Sequence, residues 1–231
     1  MIPKVIHCCW LSGEPKPPLV ERCIESWRQF APDWKVREWT LDEIRRAAAA
    51  DELASPPLFF EEAVKTRKWA FAADWLRFAA LLAEGGLYLD CDVELVKPLD
   101  VTGEFVAGQW MPGDCIGLEP AAIALEKCSV IAREMVGFYA DAQFDTLHTT
   151  GEIMAEVIRR KGLSLEVLPP EVFCPIGVDG VVHATERTVG IHRYAMSWAS
   201  PQRKIARWLS WHGMRGVVDW ALKVRKSWRG G

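Results

Sequence analysis

In the first fifty residues, apolar stretches alternate with polar and proline-rich segments. The lengths of the apolar stretches favour alternating strands and helices. Residues 4–10 and 34–39 have the length and apolar content of buried strands. Residues 19–30 carry apolar side chains at helical spacing, and Thr40 with Glu43 fits the capping box that begins a second helix. This order predicts a parallel sheet with crossover helices, and therefore an α/β fold.

The most informative pattern is a helix followed by a glycine pair and a short apolar strand. Apolar residues at the spacing of a buried helix stripe are Phe71, Trp75, Phe78 and Leu82. Gly85-Gly86 can supply the left-handed residue that ends a helix. Residues 87–89 then predict a strand that is buried on both faces.

Two aspartates follow this strand, and they are the strongest candidates for chemistry. Asp90 and Asp92 are two residues apart, so in an extended chain both side chains project to the same side. Paired carboxylates suit Mn²⁺ or Mg²⁺ and leave coordination positions for a substrate diphosphate. Because Asp-x-Asp also occurs by chance, a solvated turn after the strand is the alternative.

The preceding helix is otherwise almost wholly apolar but contains two charged residues, Asp74 and Arg77. Their i, i+3 spacing places them on one helix face. Arginine suits a pyrophosphate or a ribose oxygen. An internal ion pair between the two side chains is the alternative interpretation.

The rest of the chain predicts further short strands and helices. Pro56-Pro57 interrupts the pattern, and the helical signal from residue 58 to residue 83 fits one helix or two. Strands are predicted at 93–96, 105–109, 115–118, 165–168 and 191–198, and helices at about 126–140, 151–161 and, in two pieces, 201–229. We therefore expect one α/β domain over residues 1–200 and a helical tail over residues 201–231.

Composition limits the class of protein and shows an uneven distribution of charge. Half of the 231 residues are hydrophobic, which suits a folded globular protein. No apolar run approaches the length of a membrane span, and the first residues lack the features of a signal peptide, so we expect a cytoplasmic protein. The seven cysteines show neither disulfide nor zinc spacing. Eight of the 28 basic residues, but one of the 31 acidic residues, lie after residue 200.

With these motifs in place, the chain resembles the glycosyltransferases of family 32, which carry a sugar-binding region with a DXD motif. The resemblance covers roughly residues 2–198. It rests on Ile2-Pro3-Lys4-Val5-Ile6-His7 with Trp10, on Ala72-Ala73-Asp74-Trp75-Leu76-Arg77, on Gly85-Gly86-Leu87-Tyr88-Leu89-Asp90-Cys91-Asp92-Val93, and on His192 to Ser197-Trp198. The resemblance implies a GT-A fold, a Rossmann-like three-layer sandwich with a mostly parallel sheet. It also implies a nucleotide-sugar donor, a Mn²⁺ or Mg²⁺ ion and retention of anomeric configuration.

The resemblance also implies roles on the nucleotide side of the site. Trp10 would lie against the nucleobase, although a core position for this tryptophan is the alternative. Tyr88 would line the nucleotide pocket. Ser197 and Trp198 would close over the diphosphate.

A second set of implied roles concerns catalysis and the metal. Asp74 and Arg77 would hold the donor sugar or the ribose and diphosphate. Asp92 would ligate the metal, and Asp90 would contact the ribose or sugar side and reach the metal directly or through a water molecule. His192 would sit near the metal as a ligand, although a lone histidine is more often structural.

The acceptor side departs from the family pattern at two positions. Many members carry an asparagine in the strand after the metal motif, a role that Asp114 would take here. Many members carry Thr-Gly-Pro at the next helix, whereas this chain has Thr150-Gly151-Glu152, so a backbone contact by Gly151 would remain.

The basic tail raises a separate question of membrane contact. Four of the chain's twelve tryptophans lie there among the basic residues, namely Trp208, Trp211, Trp220 and Trp228. A basic amphipathic helix with tryptophan suits an anionic membrane surface, such as the inner face of the cytoplasmic membrane. The alternative is a helix packed on the domain with a solvated basic rim. Nucleic-acid binding is disfavoured because the rest of the chain is acidic.

Taken together, the sequence predicts a retaining glycosyltransferase that moves a hexose from a UDP- or GDP-linked sugar to a glycan or lipid-linked glycan. Assembly of a bacterial surface polysaccharide, such as a capsule, is the expected setting. One alternative is a phosphohydrolase with an Asp-x-Asp nucleophile, although no adjacent acidic pair follows residue 100. The other is a non-catalytic, membrane-associated glycan-binding protein that retains the same fold.

Overall fold

The computed structural model describes residues 1–111, 115–144, 147–177 and 180–195. Its strands are β1 (Val5–Cys9), β2 (Lys35–Trp39), β3 (Gly86–Leu89), β4 (Val93–Leu95), β5 (Phe105–Met111), β6 (Cys115–Leu125), β7 (Glu166–Leu168) and β8 (Gly190–His192). Its helices are α1 (Pro18–Phe30), α2 (Leu41–Ala49), α3 (Leu58–Lys65), α4 (Trp69–Glu84), α5 (Val130–Asp141), α6 (Thr150–Lys161) and α7 (Pro170–Phe173).

Six of these strands form the central sheet, in the order β2-β1-β3-β6-β5-β7. β1 pairs in parallel with β2 and β3, and β5 pairs in parallel with β7. β6 is antiparallel to both of its neighbours, β3 and β5. Five of the six strands therefore run in one direction, which confirms the prediction of a mostly parallel sheet. β4 and β8 form a separate antiparallel pair.

Helices cover both faces of this sheet, which gives the predicted three layers. On one face, Trp75 and Phe78 of α4 pack with Tyr88 of β3. On the other, Trp27 of α1 packs with Leu87, which neighbours Tyr88 along the same strand. Because successive strand residues point to opposite faces, β3 contributes to both cores, as its continuous apolar sequence predicts.

Several predicted element boundaries differ from those in the structure. The helical stretch from residue 58 divides into α3 and α4, one of the two predicted possibilities. β6 continues to Leu125, and α5 begins only at Val130 because Cys128 adopts a positive φ of 62° in the intervening turn. α7 lies between the strands predicted at 165–168 and 191–198, where no helix is predicted. The tail over 201–231 and the domain boundary at residue 200 lie outside the described residues.

The glycine pair after α4 is required by close backbone packing. Gly85 has φ of 68° and Gly86 has φ of 115°, conformations that L side chains rarely adopt. A Cβ on Gly85 would lie 2.4 Å from the Lys127 nitrogen, and one on Gly86 would lie 2.5 Å from the Val5 oxygen. The pair therefore ends α4 as predicted and also lets β3 begin close against β1.

None of the helices in the described residues combines the length and apolar character needed to cross a bilayer.

His7, in β1, is a fully buried histidine with a defined tautomer. Its Nε2 lies 2.9 Å from the Gly85 oxygen, and the Trp39 indole donates to its Nδ1 at 3.1 Å. Nε2 must therefore carry the proton and donate to the carbonyl. Burial lowers the pKa of His7 from its ordinary value of 6.5, although the bond to Gly85 opposes this shift. The packing thus favours the neutral ring.

We expect His7 to make the protein less stable as the pH falls. Below pH 6.5 the unfolded chain binds a proton that the folded ring resists, so the free energy of unfolding decreases. A His7→Gln variant should be less stable at pH 7.5 by about 1–3 kcal/mol, because buried hydrogen bonds are impaired. It should nevertheless lose less stability between pH 7.5 and pH 5.5. Urea unfolding of both proteins at the two pH values measures this difference, and equal losses would contradict it.

Candidate functional site

Asp90 and Asp92 lie in a turn between β3 and β4. Val93 donates its backbone N–H to the Asp90 oxygen at 2.9 Å and closes this turn. The prediction of an extended backbone between the two aspartates is therefore wrong. The Cys91 thiol between them donates to the Cys9 oxygen at 3.1 Å and anchors the turn to β1. The expectation that the two carboxylates converge is correct, because one oxygen of each belongs to the same close group.

The third member of this group is His192, which the pairing of β4 with β8 places opposite Val93. One ligand atom from each of Asp90, Asp92 and His192 lies within 4.8 Å of the others. His192 Nε2 is 3.4 Å from Asp92 Oδ1, and Asp92 Oδ2 accepts the Ala195 N–H at 2.7 Å. Two carboxylates and an imidazole, so arranged, could hold a divalent cation.

In the absence of a cation, the pKa values of His192 and Asp92 favour a proton held between these two side chains. Burial lowers the pKa of His192, but the Asp92 carboxylate, together with Cys174 and Glu119, outweighs burial and holds this pKa well above its ordinary value. Burial likewise raises the pKa of Asp92, but His192 and backbone N–H groups such as that of Ala195 together outweigh burial, and the pKa is lowered. Without a cation the two side chains form an imidazolium–carboxylate pair, and a bound cation would take the place of the proton.

Arg77 occupies the centre of the site and is 5% exposed. One guanidinium nitrogen lies 2.9 Å from Asp74 Oδ1 and 3.5 Å from Asp90 Oδ1. The other terminal nitrogen donates to the Pro120 oxygen at 2.7 Å. The internal ion pair with Asp74 therefore exists, and the same guanidinium also reaches Asp90 of the Asp-x-Asp motif. Contact of Asp74 and Arg77 with a donor stays a prediction.

Asp74 is held from its other side by residues of α5 and α6. The Thr150 hydroxyl donates to Asp74, and Tyr139 shares a 2.5 Å hydrogen bond with Thr150. Burial raises the pKa of Asp74 to about 7, although Arg77 opposes the shift. Two helices thus fix the orientation of a carboxylate that is ionised only in part near neutral pH.

Tyr88 and Trp10 occupy different environments. Tyr88 is 1% exposed, and the Arg77 guanidinium lies over its ring at 4.8 Å from the centroid. Its hydroxyl lies 3.4 Å from Cys9 Sγ, which holds the ring in place against the guanidinium of Arg77. Trp10 is only partly buried and donates its indole N–H to the Glu14 oxygen at 2.6 Å. Contact of either ring with a nucleotide stays a prediction.

Close backbone packing is a sufficient reason for glycine at position 151, and no contact with a ligand is needed to explain it. A Cβ there would lie 2.1 Å from the Leu118 oxygen, so only glycine lets α6 pack this closely on β6. Substrate binding by Gly151 stays a prediction. Three other predicted site residues, namely Asp114, Ser197 and Trp198, lie outside the described residues.

Sequence reasoning missed Glu119, a partly buried residue of β6 at the edge of the site. Burial raises its pKa, and its carboxylate interacts electrostatically with His192, Asp90 and Arg77. A usable signal was present, because Glu119 is the one acid in the otherwise apolar sequence from Ile116 to Leu125. Glu119 adds to the excess of acids over bases in the site, which suits a divalent cation.

Two solved structures are similar to this chain in fold. The chain matches "PaToxG Glycosyltransferase" with a TM-score of 0.56 and 19% identity, over 69% of this chain and 70% of that one. It also matches a glycosyltransferase involved in the glycosylation of the major capsid of PBCV-1, with a TM-score of 0.50 and 14% identity, over 87% and 96% of the two chains. This likeness confirms a GT-A-like fold.

Sequence comparison finds a similarity to one family over part of the chain. Residues 17–107 match the family described as the glycosyltransferase sugar-binding region containing DXD motif. "Uncharacterized glycosyltransferase L373" of Acanthamoeba polyphaga mimivirus is 32% identical over 107 residues, which span 46% of this chain and 40% of that protein. Both matches agree with the resemblance over part of the chain, and the chain spans less than half of the length of this relative. The family match includes Asp74, Arg77 and the Asp-x-Asp motif, but neither Glu119 nor His192.

Proposed function

We propose that the protein is a retaining glycosyltransferase that moves a hexose from a nucleotide-sugar to a glycan or glycolipid. The observation that carries this proposal is the convergence of Asp90, Asp92 and His192 beside the buried guanidinium of Arg77. A cation and an arginine side by side suit a diphosphate, which is the leaving group of a nucleotide-sugar. The family match over residues 17–107 supports the same reaction.

The donor set supports a divalent cation, which Asp92, His192 and Asp90 would hold. Carboxylates suit both Mg²⁺ and Mn²⁺, whereas imidazole is a softer ligand that suits Mn²⁺ better. We therefore favour Mn²⁺. When bound, the cation would neutralise charge that develops on the departing diphosphate.

The protein's own residues would position the donor and stabilise charge. Arg77 is fixed by Asp74, Asp90 and the Pro120 carbonyl, so its charge needs little reorganisation when a diphosphate arrives. Asp74 is fixed by Thr150 and can accept a hydrogen bond from a sugar or ribose hydroxyl. In a retaining transfer the leaving phosphate oxygen accepts the proton of the attacking hydroxyl, so positioning is the main task of the site.

The setting of the reaction is also a proposal. We place the enzyme in the cytoplasm, on the inner face of the membrane, in the assembly of a bacterial surface polysaccharide. The basic, tryptophan-containing sequence after residue 200 supports this placement, because it suits an anionic surface that presents lipid-linked acceptors.

Thermal unfolding with a panel of UDP- and GDP-sugars tests the proposed function. With Mn²⁺ present, we expect one donor to raise Tm by about 5–10 °C at roughly 100 times its Kd, since a ligand of the folded state stabilises by mass action. The same donor with EDTA in place of Mn²⁺ is the control and should give little shift. Failure of every nucleotide-sugar to bind, or release of inorganic phosphate from sugar phosphates, would contradict a transferase and favour a hydrolase or a binding protein.

A further inference from the structure

The strand that carries Glu119 has an irregularity beside the site. Along the β5–β6 pair, Val106 is opposite Ile123, but the next residue, Ala107, is opposite Glu119. Three residues of β6, 120–122, are therefore inserted at this point without partners on β5. Bulges bend a strand and redirect its side chains, and they are frequent next to active sites. Proline fits such a place because it lacks a backbone donor.

The bulge is fixed by the two residues that define the centre of the site. Arg77 donates to the Pro120 oxygen at 2.7 Å, and Asp90 donates its backbone N–H to the Ala121 oxygen at 2.8 Å. Within the bulge, Glu119 Oε1 accepts the Ala121 N–H at 3.3 Å. The position of the Glu119 carboxylate is therefore coupled to the same groups that would face a donor.

Glu119 borders the cation group without belonging to it. The close group within the described residues consists of Asp90, Asp92 and His192. The carboxylate nevertheless interacts electrostatically with His192 and Asp90 from the β6 side. Its second oxygen is not needed for the bond to Ala121, so it can accept a hydrogen bond from a ligand.

Charge decides which part of a donor such a carboxylate can face. A diphosphate is negatively charged and would be repelled, whereas a hexose presents neutral hydroxyl donors that a carboxylate accepts well. We propose that Glu119 binds hydroxyl groups of the transferred hexose and so contributes to the choice of sugar. This inference rests on the proposed function and adds a sugar-recognition residue that lies outside the family match.

The test compares two ligands that differ only in the sugar. The affinities of the donor identified by thermal unfolding and of its free nucleoside diphosphate are measured by calorimetry with saturating Mn²⁺. Glu119→Gln keeps the shape of the side chain and an oxygen for the Ala121 N–H. We expect it to bind the nucleotide-sugar about 5- to 30-fold more weakly, because a charge-assisted hydrogen bond becomes a neutral one. Binding of the free diphosphate should change by less than about twofold.

A matched control removes one carboxylate elsewhere. Glu134, on α5, pairs with Lys161 at 2.8 Å and has no contact with the site among the described residues. Glu134→Gln should leave both affinities unchanged.

Each outcome of this test has a distinct meaning. If Glu119→Gln changes neither affinity, or weakens both ligands equally, Glu119 does not recognise the sugar and the inference is overturned while the proposed function stands. If the wild-type protein binds no nucleotide-sugar, the proposed function fails and the inference fails with it.

Discussion

Replacement of Asp92 by asparagine should abolish cation-dependent sugar transfer while leaving the fold intact. The amide keeps an oxygen that can accept the Ala195 N–H, so the turn loses little. It cannot supply the negative charge that a cation needs or that holds the pKa of His192 above its ordinary value. We expect Mn²⁺ affinity and turnover each to fall by at least about a hundredfold. Calorimetric Mn²⁺ titration and an assay of donor turnover measure the two effects.

A matched aspartate variant controls for loss of charge in general. Asp33 is largely exposed and only loosely paired, 3.8 Å from the Lys4 amine. Asp33→Asn should retain wild-type Mn²⁺ affinity and turnover. Near-normal turnover by folded Asp92→Asn protein would remove the basis for assigning this residue to the metal.

The part of the site formed by α4 and the Asp-x-Asp motif could be predicted because the residues that form it are close together in the sequence. The apolar stripe of α4, the stop at Gly85-Gly86 and the acids that follow are all local signals. The i, i+3 spacing of Asp74 and Arg77 likewise fixes a shared helix face. The structure brings these residues together as the pattern indicates, although Asp90 and Asp92 lie in a turn.

The remaining half depends on contacts that no local pattern encodes. His192 reaches Asp92 only because β8 pairs with β4, about a hundred residues earlier in the chain. Glu119 reaches the site through a shift in strand register, which depends on how β5 and β6 pair. The sequence around each residue resembles an ordinary strand, so His192 was inferred from family resemblance and Glu119 was missed.

Replacement of Arg77 by methionine should damage both stability and activity, for one physical reason. The guanidinium is the positive partner of Asp74 and Asp90 in a buried setting, and it also satisfies the Pro120 carbonyl. Breaking such a buried pair by removing one partner typically costs about 3–5 kcal/mol, because the other charge is left uncompensated. We also expect turnover to fall at least about a hundredfold, since the arginine would no longer face the diphosphate. Urea unfolding and the donor assay measure the two losses.

A control and a pH series test whether the uncompensated charge is the cause. Arg45→Met removes an exposed helical arginine that pairs with Glu61 at 3.4 Å, and it should cost little stability or activity. The pKa of Asp74 is raised from 3.8 to about 7, so the folded protein binds a proton that the unfolded chain has released. Asp74 therefore lowers stability as the pH rises from about 4 to about 7. Without Arg77, which opposes this shift, the pKa of Asp74 in the folded protein should rise further, so the decrease should extend to higher pH.

The double variant Arg77→Met with Asp74→Asn separates the structural effect from the catalytic one. The added asparagine removes the uncompensated carboxylate while keeping an oxygen that accepts the Thr150 hydroxyl. We expect it to recover a large part of the lost unfolding free energy at pH 7.5 and to flatten the pH dependence. Turnover should stay low, because neither change restores a positive charge beside Asp90. Recovery of turnover together with stability would mean that Arg77 acts only through the fold and has no direct part in holding the diphosphate.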